Sequence, residues 1–460
     1  MTKAKNPFLL LFTIIVTIII SGCGSTPEGQ FTPVPTARIL IETPFKSTEQ
    51  KPQVLSVTPT QNQATSYQGL TYQMPDGNRV VTGQGNLPQQ TPVEITLPGI
   101  PVWVVGAPYQ DGIIWTIALQ DGEIVTIFAS NQSVSEYPNH ISALMPGTPP
   151  HLKSSDNLYS LVDVLDTNQS NLTHPTYLPR IKARAYITQN GEVKIIDQSD
   201  RDLATLQVHA LPDARILIDE RDRLLLLSDP TDKYSHGVLG DNLEAKSITI
   251  IETQPTIQIS SRIYLEDNEV IEGISPIWVD INGDRQREII ATVSDLDLGA
   301  GIVIFSETGE RLAEGQKMGR AYRWRHQIGY LNLGPEGENE LVVVRTPHIG
   351  GVIEYYRYSN GELNIVAEYP GITSHTIGSR NLDMAALGDF DGDCVNELLL
   401  PNPGLTELVA VRRTPSGVEQ GWKISLGGVM STNLAGVTLP DGKIAVAVGR
   451  DDGVLTLWLP

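Results

Sequence analysis

Two stretches of this chain carry oxygen ligands at a spacing that suits a hard cation. In Asp389-Phe390-Asp391-Gly392-Asp393-Cys394-Val395-Asn396-Glu397, acids occupy the first, third, fifth and ninth positions, and Leu398-Leu399-Leu400 follows at once. Asp280-Ile281-Asn282-Gly283-Asp284-Arg285-Gln286-Arg287-Glu288 repeats the pattern and also opens into an apolar run, Ile289-Ile290. Ca²⁺ takes about six to eight oxygens at short range, and a tight loop of alternating polar residues supplies them while the intervening side chains point away. The expected donors are the side chains of Asp280, Asn282, Asp284 and Glu288, and of Asp389, Asp391, Asp393 and Glu397. The backbone carbonyls of Gln286 and Val395 complete each set, so the expectation is two structural calcium ions. An EF-hand would continue to a bidentate Glu at the twelfth position, where this chain has Leu400, so the loops belong between strands.

A third, decayed copy lies between them, Asn332-Leu333-Gly334-Pro335-Glu336-Gly337-Glu338-Asn339-Glu340. It keeps the ninth-position acid but has Asn first and Gly third, and no metal is expected there. Starts at positions 280, 332 and 389 indicate one supersecondary unit repeated at the size of a propeller blade. The D-x-[DN]-G-D-x-x-x-E loop before an apolar strand resembles the calcium loops of FG-GAP and VCBS repeats, found in the integrin-alpha type of β-propeller. Val104-Val105-Gly106-Ala107-Pro108 resembles the Gly-Ala-Pro half of that motif. Arg285 and Cys394 stand where the family usually has Gly. The resemblance covers residues 274–460, and it implies a fold more than a function.

The elements that must position these loops are strands. Short apolar runs recur between Gly, Pro, Asp and Asn turns, as in Ile113 to Leu119, the turn Gln120 to Glu123, and Ile124 to Phe128. This is an all-β pattern, and radial repetition is one way a long all-β chain protects its edges. Phased on the acidic loops, four strands A to D make a blade, with the loop between A and B. Blades are expected at 93–130, 141–200, 211–265, 274–318, 326–369 and 383–424, giving a seven-bladed β-propeller with six or eight as alternatives. The segment from 436 supplies only three strands, so an N-terminal strand, Tyr72 to Met74 or Arg79 to Thr82, is expected to close the ring.

This phase places the B-to-C loops and the links between blades together on the face opposite the acidic loops. His236, the run Arg320-Ala321-Tyr322-Arg323-Trp324-Arg325-His326, His348, His375, Arg380, Asp295 and Asp297 all fall there. Of these, His236, Arg323, Arg325, His326 and His375 are the catalytic candidates should this face hold an active site. Planar guanidinium forks and aromatic faces would suit a sugar acid, carboxylate or phosphate. The same residues also read as ordinary loop packing, and His326-Gln327-Ile328-Gly329 and His375-Thr376-Ile377-Gly378 share an H-x-I-G spacing that reads as the start of strand A.

Lys3 and Lys5, an apolar run from Pro7 to Ile20 and the small pair Ser21-Gly22 before Cys23 describe a secretory signal that resembles the bacterial lipobox. Lipidation at Cys23 is the expected membrane attachment, with residues 1–22 removed, 23–67 a Thr-, Pro- and Gln-rich tether and 68–460 the folded part. Cys394 is then the one remaining cysteine apart from the lipidated residue, so no internal disulfide is available. A formal charge of −20 argues against a nucleic-acid partner. No G-x-S-x-G, H-E-x-x-H, P-loop or dinucleotide fingerprint is present. The chain therefore reads as an extracytoplasmic lipoprotein of a bacterial envelope with a calcium-stabilised propeller. It would act as a non-catalytic binding or adhesion module for a protein or glycan. The alternatives are a lyase or hydrolase of an anionic saccharide or phosphoester, and a scaffold of an envelope complex.

Overall fold

The structure, a computed structural model, describes residues 72–131, 133–137, 143–155, 158–161 and 166–460, together with the backbone of Ala37–Ile39 and Gln68–Gly69. The signal segment, Cys23 and most of the tether lie outside these residues. Among the described residues there is one 3-10 turn, Leu87–Gln89, and no α-helix. The architecture is all-β, as the sequence pattern requires.

Among the described residues, seven antiparallel four-stranded units follow one another, six of them with strands A to D in chain order. Blade 1 is Pro101–Tyr109, Gly112–Leu119, Ile124–Ala129 and Val134–Glu136. Blade 2 is Thr176–Leu178, Ala183–Ile187, Glu192–Asp197 and Asp202–Gln207. Blade 3 is Leu217–Ile218, Leu224–Thr231, Glu244–Glu252 and Gln258–Tyr264. Blade 4 is Ile277–Val279, Glu288–Asp295, Gly299–Phe305 and Arg311–Glu314. Blade 5 is Arg325–Asn332, Asn339–Arg345, Val352–Ser359 and Glu362–Pro370. Blade 6 is Ala386–Asp389, Glu397–Pro401, Glu407–Thr414 and Gly417–Ser425. Blade 7 takes Ala435–Thr438, Ile444–Gly449 and Val454–Trp458 from the C-terminal end and Val93–Thr96 from the N-terminal end. Between blades 1 and 2 in sequence, Leu152–Ser155 and Leu158–Leu161 form a three-stranded sheet with Gln68–Gly69 from before blade 1. The single blade expected at 141–200 therefore divides between that sheet and blade 2.

The second strands are covered on both faces, which is why Glu288–Asp295 and Gly112–Leu119 are buried at every position. Outer strands alternate instead, as in Asp202–Gln207, because their edge meets water. Sequential antiparallel sheets whose last member is completed by the other end of the chain make a closed ring, the β-propeller architecture.

The strand that closes the ring corrects the sequence reading. Val93–Thr96 pairs antiparallel with Val454–Leu457, burying Ile95 against blade 7. Tyr72 to Thr82 instead runs along the inner strands of successive blades. Ile218 N–H donates to Pro75 O at 2.9 Å in blade 3, and Trp278 N–H to Asp76 O at 2.8 Å in blade 4. Arg79 N–H donates to Ile328 O at 3.3 Å in blade 5, and Leu387 N–H to Arg79 O at 2.8 Å in blade 6. Val80–Gln84 then pairs parallel with Ala386–Asp389, and Gln84 N–H reaches Gly442 O of blade 7 at 2.9 Å. Inner strands leave backbone groups pointing at the ring's centre, and this threaded segment satisfies part of them.

Gly85 shows how tight the threading is, since a Cβ there would stand 2.2 Å from Phe390 O. Gly85→Ala should cost about 1–3 kcal/mol through overpacking against backbone. Urea unfolding of the two proteins measures it, and equal midpoints would mean that residues 72–90 are not held in the ring.

Candidate functional site

The two acidic loops join strands A and B of blades 4 and 6, and they fold alike. The first residue accepts from the fourth and sixth backbone N–H groups: Asp280 from Gly283 at 2.7 Å and Arg285 at 2.9 Å, Asp389 from Gly392 at 2.7 Å and Cys394 at 3.1 Å. Asn282 accepts from Asp284 N–H at 2.8 Å and Asp391 from Asp393 N–H at 3.2 Å. Asp284 and Asp393 accept from the N–H groups of Gln286 and Val395, at 2.7 and 2.8 Å. The ninth-position acid reaches back, Glu288 to Ile281 N–H and Glu397 to Phe390 N–H, both at 2.9 Å. Arg285 and Cys394 sit at φ of 72° and 70°, the left-handed region, which explains a usual Gly there.

In blade 6, oxygens of Asp389, Asp391 and Glu397 lie within 4.8 Å of one another. In blade 4 the third residue is Asn282, whose amide donates to Glu288 Oε1 at 3.1 Å. Burial, with Asp391 adding to it, pushes the Glu397 carboxyl up to about 8; burial likewise raises Glu288. Blade 5 supplies the comparison. Its ninth-position acid, Glu340, is buried too, but Arg357 and Arg413 ion-pair with it at 2.6 and 2.9 Å. Among the described residues Glu288 and Glu397 meet amide, indole and backbone N–H groups and, at Glu397, the Asp391 carboxyl, with no guanidinium or ammonium. A buried acid ionises only beside a counter-charge, which arginines supply in blade 5; in blades 4 and 6 the loop oxygens are of the kind that could hold a divalent cation in that role.

On the opposite face the sequence candidates divide. His326, His348 and His375 come together around Trp324, with ring centroids 5.0, 6.0 and 5.2 Å from the indole. His375 Nε2–H donates to Ser379 O at 2.6 Å, so its Nδ1 accepts from His348 Nε2–H, also at 2.6 Å. His326 Nδ1 lies 2.8 Å from Ser374 Oγ. His326 and His375 are each 2% exposed, so the cluster is interior packing under the loops. Burial lowers all three imidazoles, His348 to about 4 and His375 to about 3, with neighbouring cationic and imidazole groups adding to it.

His236 stands beside this cluster with its Nδ1 2.6 Å from Glu272 Oε1, so the ring donates to a buried carboxylate. Tyr234 stacks on Tyr322 at 5.0 Å and caps the Tyr322 N–H at 2.7 Å. Sequence reasoning passed over Glu272, although an acid directly after the buried strand Glu269–Ile271 is a signal of a paired group. Gly378 N–H donates to Val238 O at 2.8 Å, joining the long loop of blade 3 to the link between blades 5 and 6.

Other candidates do not join. Arg325 points the other way, to Glu354 at 2.8 Å and the carbonyls of Ala300 and Gln316, and is a strut between blades 4 and 5. Arg323 folds back on Tyr322 O at 2.6 Å. Arg380 pairs with Asp213 and Asp241, and Asp295 ends its strand by accepting from the N–H groups of Asp297 and Leu298. The shared H-x-I-G has no common role: His326 is on strand A of blade 5, whereas His375 precedes strand A of blade 6 within a link.

Exposed apolar side chains stand on the loops of this face. Ile349 and Ile377 are each 66% exposed, and Leu243, Leu298 and Tyr322 are exposed on loops of the same face. A cleft of about 400 Å³ on the acidic-loop face is lined by Leu333, Pro335, Cys394, Val395 and Arg412 and lies between blades 5 and 6.

No protein-family model matches the chain, and no curated protein matches it in sequence. Among solved structures, BamB from Moraxella catarrhalis is similar at 13% identity and a TM-score of 0.39, over 80% of this chain and 98% of that one. The quinohemoprotein alcohol dehydrogenase from Comamonas testosteroni is similar at 11% identity and a TM-score of 0.46, over 79% and 74%. The Cps50 (Swd1) β-propeller domain of Myceliophteria thermophila is similar at 9% identity and a TM-score of 0.39, over 79% and 97%. None of these likenesses bears on ligand or activity.

Imidazole nitrogen resonances test the cluster. By linkage, a histidine depressed below its unfolded value near 6.5 contributes stability that is full above that pH and is lost as the pH falls toward the folded value. His326, His348 and His375 should therefore remain neutral at pH 5.5, His375 as its Nε2–H tautomer. Titration of these rings between pH 6 and 7 would mean that the cluster is open to water.

Proposed function

We propose that the chain is a non-catalytic binding propeller, stabilised by calcium and carried on a lipid anchor at Cys23, which docks a protein partner on its B-to-C loop face. The observation that carries this reading is the pairing of an apolar surface with a rigid floor. Ile349 and Ile377 project outward from segments whose neighbours, His348 and His375, are hydrogen-bonded to each other and packed on Trp324. Exposed apolar groups on such a platform mark interaction sites, and a fixed backbone lowers the ordering cost of binding. Catalysis draws less support, because three of its candidates, Arg325, His326 and His375, are buried, Arg325 as an interblade strut, and Arg323 is folded back on its own backbone. A glycan is the second reading, favoured by the half-exposed Tyr322 ring stacked on Tyr234, a flat surface for a sugar face.

Placing a photo-reactive residue at Ile349 and irradiating intact cells tests the docking face. Discrete protein adducts should form, and Ile377→Asp should abolish them while leaving the melting temperature within about 2 °C, as expected for a surface change. Adducts indifferent to Ile377→Asp, or none, would overturn a protein partner.

In this reading Asp280, Asn282, Asp284 and Glu288 hold one cation, and Asp389, Asp391, Asp393 and Glu397 the other. The bound ion would neutralise clustered carboxylates and fix the turn. Ca²⁺ added after EDTA should raise the melting temperature, since a ligand of the native state alone must stabilise it. Asp280→Ala with Asp389→Ala should remove that shift, and metal-free protein with no Ca²⁺ response would overturn the calcium reading.

A further inference from the structure

The threaded N-terminal strand ends against the acidic loop of blade 6. The Gln84 side-chain amide donates to Asp389 Oδ2 at 3.3 Å and to Cys394 Sγ at 3.0 Å. Gly85 N–H donates to Asp389 O at 2.7 Å and Leu87 N–H to Phe390 O at 2.9 Å. A Cβ on Gly392 would stand 2.6 Å from Gly85 O, so strand and loop are in direct backbone contact. In blade 4 the same segment meets strand A instead, through Trp278 N–H and Asp76 O.

We infer that Gln84 is a positioning residue for the blade 6 cation loop, and that loop and strand form a cation-dependent latch. The inference rests on the proposed reading of this loop as a cation site. Both oxygens of Asp389 already accept from the loop's own backbone, and the Gln84 amide adds a hydrogen bond from outside the loop that fixes the carboxylate plane. Outer partners of this kind orient ligands and set affinity. Coupling is reciprocal: a strand that positions Asp389 tightens cation binding, and a bound cation holds the strand in the ring to the same degree. Among the described residues the blade 4 loop has no such contact, so its affinity should be independent of residue 84.

Terbium luminescence on the full chain separates the two ideas. Trp422 Nε1–H donates to Glu397 Oε1 at 3.3 Å, close enough to sensitise Tb³⁺ in the blade 6 loop, and Asp280→Ala removes the blade 4 site. In that background Gln84→Ala should weaken Tb³⁺ binding by about tenfold, the scale of an outer-partner loss. Gln84→Glu puts a negative charge beside Asp389 and should tighten binding while lowering the metal-free melting temperature. Backbone amide exchange at residues 84–87 should slow on Tb³⁺ addition and stay unchanged in Asp391→Ala. Absence of Tb³⁺ binding by Asp280→Ala would sink the cation reading itself. Normal binding, equal in both Gln84 variants and without change in exchange at 84–87, would leave that reading standing and overturn the latch.

Discussion

The Asp383 carboxylate is the constraint on which the centre of the ring depends. It is fully buried and accepts from Arg79 Nε–H at 2.8 Å and from Arg215 Nη1–H and Nη2–H at 2.9 and 2.5 Å. Burial works to raise its pKa, and the Arg215 and Arg79 charges more than offset that, leaving it lowered. Removing three charges from water is costly, and removing one partner from such a set costs about 3–5 kcal/mol because the others stay buried. The three residues come from the threaded segment, the approach to blade 3 and the approach to blade 6. Their pairing therefore fixes the N-terminal segment between distant parts of the ring, and the backbone contacts of residues 75–87 follow from that placement.

What the sequence disclosed followed the range of the interactions. The acidic loops were legible because all their side-chain donors lie within nine consecutive positions, and the fully buried second strands because an unbroken apolar run has few other uses. Ring closure was not legible. The sequence reading set residue 93 at the start of a blade and offered Tyr72 to Met74 or Arg79 to Thr82 for closure, and the outcome turned on Arg79 meeting Asp383, about 300 positions away. The loop face was half legible. Topology brought the histidines together as expected, yet Arg325 and His326 are neighbours on one strand, and successive side chains on a strand leave on opposite faces. One of the pair could join the cluster, and His326 did because Trp324 and Ser374 wait on its side.

The histidine cluster also bears on what the loop face can do. Fixed tautomers at His348 and His375 spend their N–H groups on each other and on Ser379, which suits holding a loop and leaves little for proton transfer at a substrate. Ile349 and Ile377 leave from the segments that these hydrogen bonds tie together.

One physical problem, a buried acid at the start of strand B, is met in three successive blades. Glu288, Glu340 and Glu397 occupy equivalent positions and are all nearly inaccessible. Blade 5 answers with Arg357 from its own third strand and Arg413 from blade 6, and its loop has lost the alternating acids. Blade 6 keeps those acids, blade 4 keeps all but the third, which is Asn282, and among the described residues neither brings an arginine to the buried carboxyl. In blade 5 side chains supply the counter-charge, whereas in blades 4 and 6 burial raises the carboxyl and favours its protonated form.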